Sequence, residues 1–572
     1  MPSMRAFMTA GPAAERSNVC VYNCAYTPIE KPRRFAEILY ILTCGTGVGF
    51  SVERRYTQRL PVVPKLHEQL TLVADPFLTD STYHQWVVED SNVGWAEAFD
   101  FLISELYAGN IPSFDYSVIR REGARLKTMG GRASGPDPLR KLFEFTVETF
   151  RRAQGRRLEP IEVHDIACMT GEVVVVGGVR RSAMISLFDR DDVAMRTAKS
   201  GEWWKTHPWR ALSNNSAVYE ERPDPGTFMQ DWTDLYKSYS GEPGIFNRDA
   251  CNRIARQLRR RTNVEFGTNP CSEIILRPQQ FCNLTEIVVR PDDELPDLKR
   301  KARLAAILGT LQARLTKFPF LSQEWSTTTE DEALIGVSQT GIYDRRPWNE
   351  WELEQAKRVV AETNAGWAAK LGINVSAAGT CVKPSGTVSQ LVDAASGLHA
   401  RHAPFFLRRV RADAKDPLSQ LLAAEGVPWE WERGKEGQTM VFSFPMRSPK
   451  GAMTRDKLSA VGHLQAWLKY QRSWCEHKPS ITVSIREDEW FEVAQFVWEH
   501  FDSMSGVAFL PYDGGTYVQA PYEEIDEETY TRLAADMPTI NWDRLREFEF
   551  EDNTAGSQTM ACTGGVCEIV DL

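Results

Sequence analysis

The sequence predicts an α/β protein on three observations. Helical and strand-like patterns alternate along the chain, Gly-rich turns follow the strand-like runs, and 572 residues suffice for one large barrel or for two to four domains. Length does not choose between these two organisations.

The elements follow in order. EDSNVGWAEAFDFLISELYAG reads as a helix opened by Ser91, with Trp95, Phe99, Leu102 and Leu106 on one face and Gly109 as its stop. GEVVVVGGVRRSA predicts a buried strand over 173–176 that empties into a Gly-Gly turn and two arginines. Helical patterns return at 302–316, 351–370, 454–473 and 487–500, and SITVSI at 480–485 predicts a further strand. Turn-rich segments punctuate them: CGTGVGFS at 44–51, GGRASGP at 130–136, GEPGIFN at 241–247, KPSGTVS at 383–389 and LPYDGGTY at 510–517. One such turn is an ordinary strand-to-helix connection. Several of them after strands point to a site assembled from loops at one end of a barrel. The last stretch, EDNTAGSQTMACTGGVCEIVDL, is polar and Gly-rich and is expected to be a mobile tail whose two thiols can close into a disulfide and exchange it.

Composition narrows the classes. Hydrophobic residues at 42% and charged ones at 25% are ordinary for a soluble globular enzyme, and no apolar run nears the ~18 residues of a membrane span. A net charge of -10 argues against a surface that tracks a nucleic-acid polymer. It leaves room for one anionic ligand held by backbone N–H groups. The eleven cysteines are scattered and odd in number, with no signal-peptide pattern, so they read as reduced thiols of a cytoplasmic protein. No Cys-x-x-Cys pair repeats at zinc spacing, and no metal site is expected. Cys168, on an apolar helical stretch, reads as core packing.

The densest chemistry lies in GTNPCSEIILRPQQFCNL, residues 267–284. If this segment is extended, Asn269, Cys271 and Glu273 share one side, because side chains two apart point the same way. Pro270 favours that reading by biasing Asn269 away from the helical region. An amide, a thiol and a carboxylate would then aim at one spot, with a second thiol, Cys282, further along.

TNPCSEI with QFCNL, YNCAYTPI, CGTGVGFSV, GGRASGPDPL, GGVRRSA, SNNSAV, GEPGIFN, VKPSGTVSQL, LPYDGGTYVQAP and the terminal CTGGVC appear in the order in which similar motifs occur in ribonucleotide reductases. The set resembles the adenosylcobalamin-dependent class, and within it the monomeric ribonucleoside-triphosphate reductases. The resemblance implies a ten-stranded α/β barrel of two antiparallel five-stranded parallel halves, with a central finger loop carrying Asn269, Cys271 and Glu273. It implies that Cys271 forms a thiyl radical, that Glu273 accepts the 3′-hydroxyl proton of the ribose, and that Asn269 binds the sugar hydroxyls. Cys24 and Cys282 match the dithiol that reduces the substrate, although they lie far apart in sequence. Cys562 and Cys567 match the shuttle that re-reduces that pair and is itself reduced by a thioredoxin-like partner. Ser385, Gly386 and Thr387 resemble the turn that receives substrate phosphates. Gly131 and Arg132, with Arg180 and Arg181, lie in loops resembling those through which a deoxynucleotide effector selects the base.

The same resemblance separates the radical sources. No Tyr-Tyr dipeptide is present of the kind that relays a radical in the oxygen-dependent class, and the C-terminus is not of the glycyl-radical type. None of the nine histidines lies in Asp-x-His-x-x-Gly, so adenosylcobalamin is expected to keep its own base on cobalt. The expected organisation is a barrel over 1–550, including a helical effector- or interface-like region over 52–110, and a redox tail over 551–572. A monomer is expected, with a dimer as the alternative. Because YNCAY begins at residue 22, no N-terminal dATP off-switch is expected. The competing readings are the large subunit of an oxygen-dependent reductase and a non-reducing nucleotide-binding relative.

Overall fold

The structure is a computed structural model and describes residues 1–67, 86–124, 133–175, 183–261, 264–512 and 518–549. Five strands lie side by side and parallel: β1 (Cys24–Pro28), β2 (Gly47–Ser51), β3 (Met184–Asp189), β4 (Ser213–Tyr219) and β5 (Gly244–Asn247). A second parallel set contains β6 (Gln280–Val288), β7 (Ile335–Thr340), β8 (Thr482–Ile485) and β9 (Gly506–Pro511). The sets meet antiparallel at β1 with β6 and at β5 with β9.

Residues 380–382 close the ring. Thr380 bridges Val337 of β7, and Val382 bridges Pro479 just before β8, both in parallel sense. The Cys381 N–H donates to the Val337 carbonyl at 3.0 Å, and the Ser480 N–H donates to the Val382 carbonyl at 2.8 Å. This short segment is the tenth strand, so the two five-stranded halves are both complete, and the expected fold is the one observed.

Alternation along the strands sorts two cores. Val48, Phe50, Met184, Phe188, Phe281 and Ile287 face outward into the main core beneath the helices. Cys24, Tyr26, Ile185, Leu187, Val218, Phe246, Cys282 and Leu284 face inward, where they surround Ile274 and Ile275 of the finger loop.

The helix Asn92–Ala108 begins and ends where the sequence marks it: the Ser91 hydroxyl accepts the Gly94 N–H, and Gly109 is left-handed at φ 94. The helices expected at 351–370, 302–316, 454–473 and 487–500 are observed as Glu350–Leu371, Leu295–Ala313, Ala460–Ser473 and Trp490–His500. The strand expected over 173–176 is not formed at 173–175, and Val176 lies outside the described residues. Residues 173–175 are the last turn of the helix Pro160–Val175. Val163, Ile166, Ala167, Thr170, Val173 and Val174 are all buried at helical spacing, and this burial outweighs the local strand preference of four consecutive valines.

A four-stranded antiparallel sheet was not legible in the sequence. Thr439–Arg447 and Tyr522–Glu524 flank Phe405–Asp413, with Trp429–Trp431 on the outer edge, over a small core of Val427, Met440 and Phe442. Among the described residues no helix is long and apolar enough to cross a membrane.

Candidate active site

The finger is an antiparallel pair, Gly267–Thr268 with Ile275–Leu276, inserted into the barrel. The glycines of CGTGVGFS make room for it. A Cβ on Gly49 would sit 1.7 Å from the Thr268 carbonyl oxygen, and one on Gly47 would sit 2.9 Å from the Pro270 ring. Two buried arginines hold the stem. Arg248 donates from Nε to the Phe266 carbonyl at 2.7 Å and pairs with Glu53 at 2.9 and 2.6 Å. Arg261 donates from Nη1 to the Ile275 carbonyl at 3.0 Å and pairs with Glu332 at 3.0 and 2.6 Å.

Removing one partner of such a pair leaves a buried charge uncompensated. Arg55 also reaches Glu53, at 2.7 Å, and partly compensates its charge, so Arg248→Met is expected to destabilise by about 3 kcal/mol in denaturant unfolding. A loss below about 1 kcal/mol, the size of a surface ion pair, would show that the pair does not hold the stem.

The tip is a turn and not the extended run that alternation suggested. The Ser272 N–H donates to the Asn269 carbonyl at 2.8 Å, and Ser272 is left-handed at φ 63. The Asn269 side chain spans the turn: its Oδ1 accepts the Ile274 N–H at 2.9 Å, and its Nδ2 donates to Glu273 Oε2 at 2.8 Å. Asparagine's tendency to bond nearby backbone overrides alternation here. Asn269 and Glu273 are thereby brought into contact and buried, and Cys271 stands partly exposed at the apex. Burial raises the Glu273 pKa, while the Asn269 amide and the ammonium groups of Lys383 and Lys478 oppose the shift.

Cys24 and Cys282, 258 residues apart in sequence, are directly opposed partners in the β1–β6 pairing. Opposed residues in an antiparallel pair have Cα atoms about 4.5–5.5 Å apart, inside the range a disulfide spans. Both thiols are free and buried. Burial raises both pKa values, with the Glu273 carboxylate the next cause, and Cys24 also senses Cys271. Cys381, on the tenth strand, is a fourth interior thiol that senses Glu273 and Cys282; the motifs gave it no role. Cys168 is buried beside His164, with Sγ 3.4 Å from Nε2.

Beyond the tenth strand the chain enters KPSGTVS. Ser385 is left-handed at φ 54, and its buried hydroxyl has no hydrogen-bond partner. Gly386 and Thr387 are exposed beside it. Lys383 is fixed by Glu286 at 2.8 Å. A cavity of about 220 Å³ opens next to this loop, lined by Ser389, His399, His402, Arg408 and Tyr522 among others. Sequence reasoning missed Glu286, Lys383 and Lys478. The one available signal was parity, since Glu286 continues the inward series Cys282, Leu284. Gly131, Arg132, Arg180, Arg181, Cys562 and Cys567 lie outside the described residues. Among the described residues no cluster of His, Cys, Asp and Glu could hold a metal ion.

A ten-stranded barrel of two opposed halves around a thiol-tipped finger defines the ribonucleotide reductase fold, and residues 177–313 match the family model "Ribonucleotide reductase, barrel domain". The chain resembles the ribonucleotide reductases, and relatives of the adenosylcobalamin-dependent kind match it over most of its length. It is 29% identical to the adenosylcobalamin-dependent ribonucleoside-triphosphate reductase of Lacticaseibacillus paracasei, with 92% of this chain and 78% of the relative covered. The enzyme of the same name from Lactobacillus leichmannii is 28% identical with the same coverage. The crystal structure of a B-12 dependent (class II) ribonucleotide reductase superposes with a TM-score of 0.80 at 23% identity, covering 97% of this chain and 87% of the other, which shows the shared fold.

Proposed function

We propose that the protein reduces ribonucleotides, as triphosphates, to 2′-deoxyribonucleotides by thiyl-radical chemistry, with adenosylcobalamin as its cofactor. The observation that carries this reading is the opposition of Cys24 and Cys282 across β1 and β6, with Glu273 and Cys271 of the finger close enough to perturb the Cys24 thiol. A dithiol beside a carboxylate and a third thiol is what the net reaction needs. Ribonucleotide plus dithiol gives deoxyribonucleotide, disulfide and water.

The chain's groups divide that work. The Cys271 thiyl takes the 3′ hydrogen and returns it at the end. Glu273, held by Asn269, accepts the 3′-hydroxyl proton. The 2′-hydroxyl leaves as water after gaining a proton. Cys24 and Cys282 supply the two electrons and two protons and end as a disulfide. Ser385, Gly386 and Thr387 bind the substrate phosphates through N–H and hydroxyl donors, and the unpartnered Ser385 hydroxyl supports this assignment.

When bound, adenosylcobalamin supplies the radical that oxidises the Cys271 thiol. The histidines fit a cofactor that keeps its own base. His463 and His477 are buried and His399 is partly buried, and each has a ring nitrogen within 2.7–3.2 Å of a backbone carbonyl oxygen. His164 lies against Cys168. The cofactor's polar periphery is assigned to the cavity beside the phosphate loop, where His402 stacks on Tyr522 at 5.3 Å and Arg408 lies 4.4 Å over the same ring.

Gly131, Arg132, Arg180 and Arg181 form the deoxynucleotide effector loops in this proposal. Cys562 and Cys567 form the shuttle to a thioredoxin-like reductant, and the chain acts as a monomer, with a dimer as the alternative. Anaerobic incubation with ribonucleoside triphosphates, adenosylcobalamin and dithiothreitol alone tests the reading. Deoxynucleotide formation is expected. Product only after a second, metal-bearing subunit is added would assign the protein to the oxygen-dependent class instead.

A further inference from the structure

We infer that Lys478 positions the finger tip and tunes its carboxylate, by holding Ser272 between Cys271 and Glu273 and by presenting the loop with an ammonium that no acidic side chain among the described residues pairs. The inference rests on the roles proposed above for Cys271 and Glu273. The Lys478 side chain is wholly buried. Its Nζ donates to Ser272 Oγ at 2.8 Å, lies 3.5 Å from the Ser505 carbonyl oxygen, and sits 4.7 Å over the Phe246 ring. Its backbone N–H donates to the Glu273 carbonyl at 3.1 Å, and its carbonyl accepts the Val382 N–H at 3.3 Å. One residue therefore ties both halves of the reactive tip to the barrel wall next to the tenth strand.

Two features show that the contact is more than packing. Ser272 occupies a left-handed position, φ 63, where glycine would carry no strain. What serine adds there is a hydroxyl, and Lys478 binds it. Lys383, which also faces Glu273, has its charge matched by Glu286. Lys478 has no carboxylate at ion-pair distance among the described residues, and burying an unpaired ammonium opposes folding.

Burial lowers the Lys478 pKa to about 8, with the Cys251 thiol from helix Arg248–Leu258 and the Glu273 carboxylate favouring the charge. Glu273 is faced in turn by Asn269, Lys383 and Lys478, and its charge is sensed by Cys24, Cys282 and Cys381. An opposite charge favours the ionised carboxylate. Lys478 therefore helps keep Glu273 a proton acceptor.

The test compares wild type, Lys478→Met and Ser272→Gly. Lys478→Met is expected to raise the melting temperature at pH 7, because an unpaired charge leaves the interior. That gain should shrink as pH rises from about 8 to about 10.4, since wild type there stays neutral when folded but still binds a proton when unfolded, and so gains stability. In the reductase assay kcat/KM should fall tenfold or more, with the acidic limb moving about one pH unit upward. Ser272→Gly keeps the charge, so it should lower kcat with that limb in place.

A Lys478→Met chain that melts lower or fails to fold would overturn the inference, as would an acidic limb that stays put. If wild type reduces no nucleotide, the reading of the active site fails by itself, and the melting series still decides whether Lys478 is an unpaired internal charge.

Discussion

Cys271→Ser is expected to abolish nucleotide reduction outright and to leave the fold intact. Sulfur–hydrogen and activated carbon–hydrogen bonds are similar in strength, so a thiyl can take the 3′ hydrogen and later return it. An oxygen–hydrogen bond is much stronger, and a serine cannot be oxidised at the same cost. The structure predicts no compensation by neighbours, because Cys24, Cys282 and Cys381 lie on the barrel strands and only Cys271 rides the apex of the finger. Cys271 is partly exposed and the swap changes little volume, so the melting temperature should move by no more than a few degrees. Turnover at even a hundredth of the wild-type rate in a chain free of wild-type contamination would remove Cys271 from the chemistry.

Cys24→Ser and Cys282→Ser are expected to lose normal product even in a single turnover from prereduced protein, because each removes half of the two-electron donor. The two variants should fail alike, since β1 and β6 oppose these residues directly. Both sites belong to an apolar cluster with Tyr26, Ile274 and Leu284. A hydroxyl there is expected to cost about 1–3 kcal/mol of stability, so the alanine variants serve as folded controls. Full single-turnover product from either variant would assign the reducing equivalents elsewhere.

The sequence carried this site unevenly. The finger residues were legible because Asn269, Cys271 and Glu273 cluster within five residues, yet their geometry was misread: period-two alternation holds only while the backbone is extended, and the Asn269 side chain folds the tip into a turn. The Cys24–Cys282 pairing came from family resemblance alone, because strand register across 258 residues depends on barrel closure, which no local pattern encodes. Lys478 was invisible for a similar reason. Its partners Ser272, Ser505 and Phe246 come from three other parts of the chain. The valine run at 173–175 misled because β-branched residues look alike in a buried strand and in a buried helix end.

The most direct measurement is the redox state of individual thiols after one turnover. Prereduced protein carrying Cys562→Ser and Cys567→Ser, whose tail cannot re-reduce the pair, is allowed a single turnover without external reductant, quenched, alkylated and mapped by mass spectrometry. The account predicts one Cys24–Cys282 disulfide for each deoxynucleotide formed, with Cys381 alkylated. Deoxynucleotide formed while Cys24 and Cys282 both remain alkylatable, or a disulfide that engages Cys381 in place of either, would contradict it.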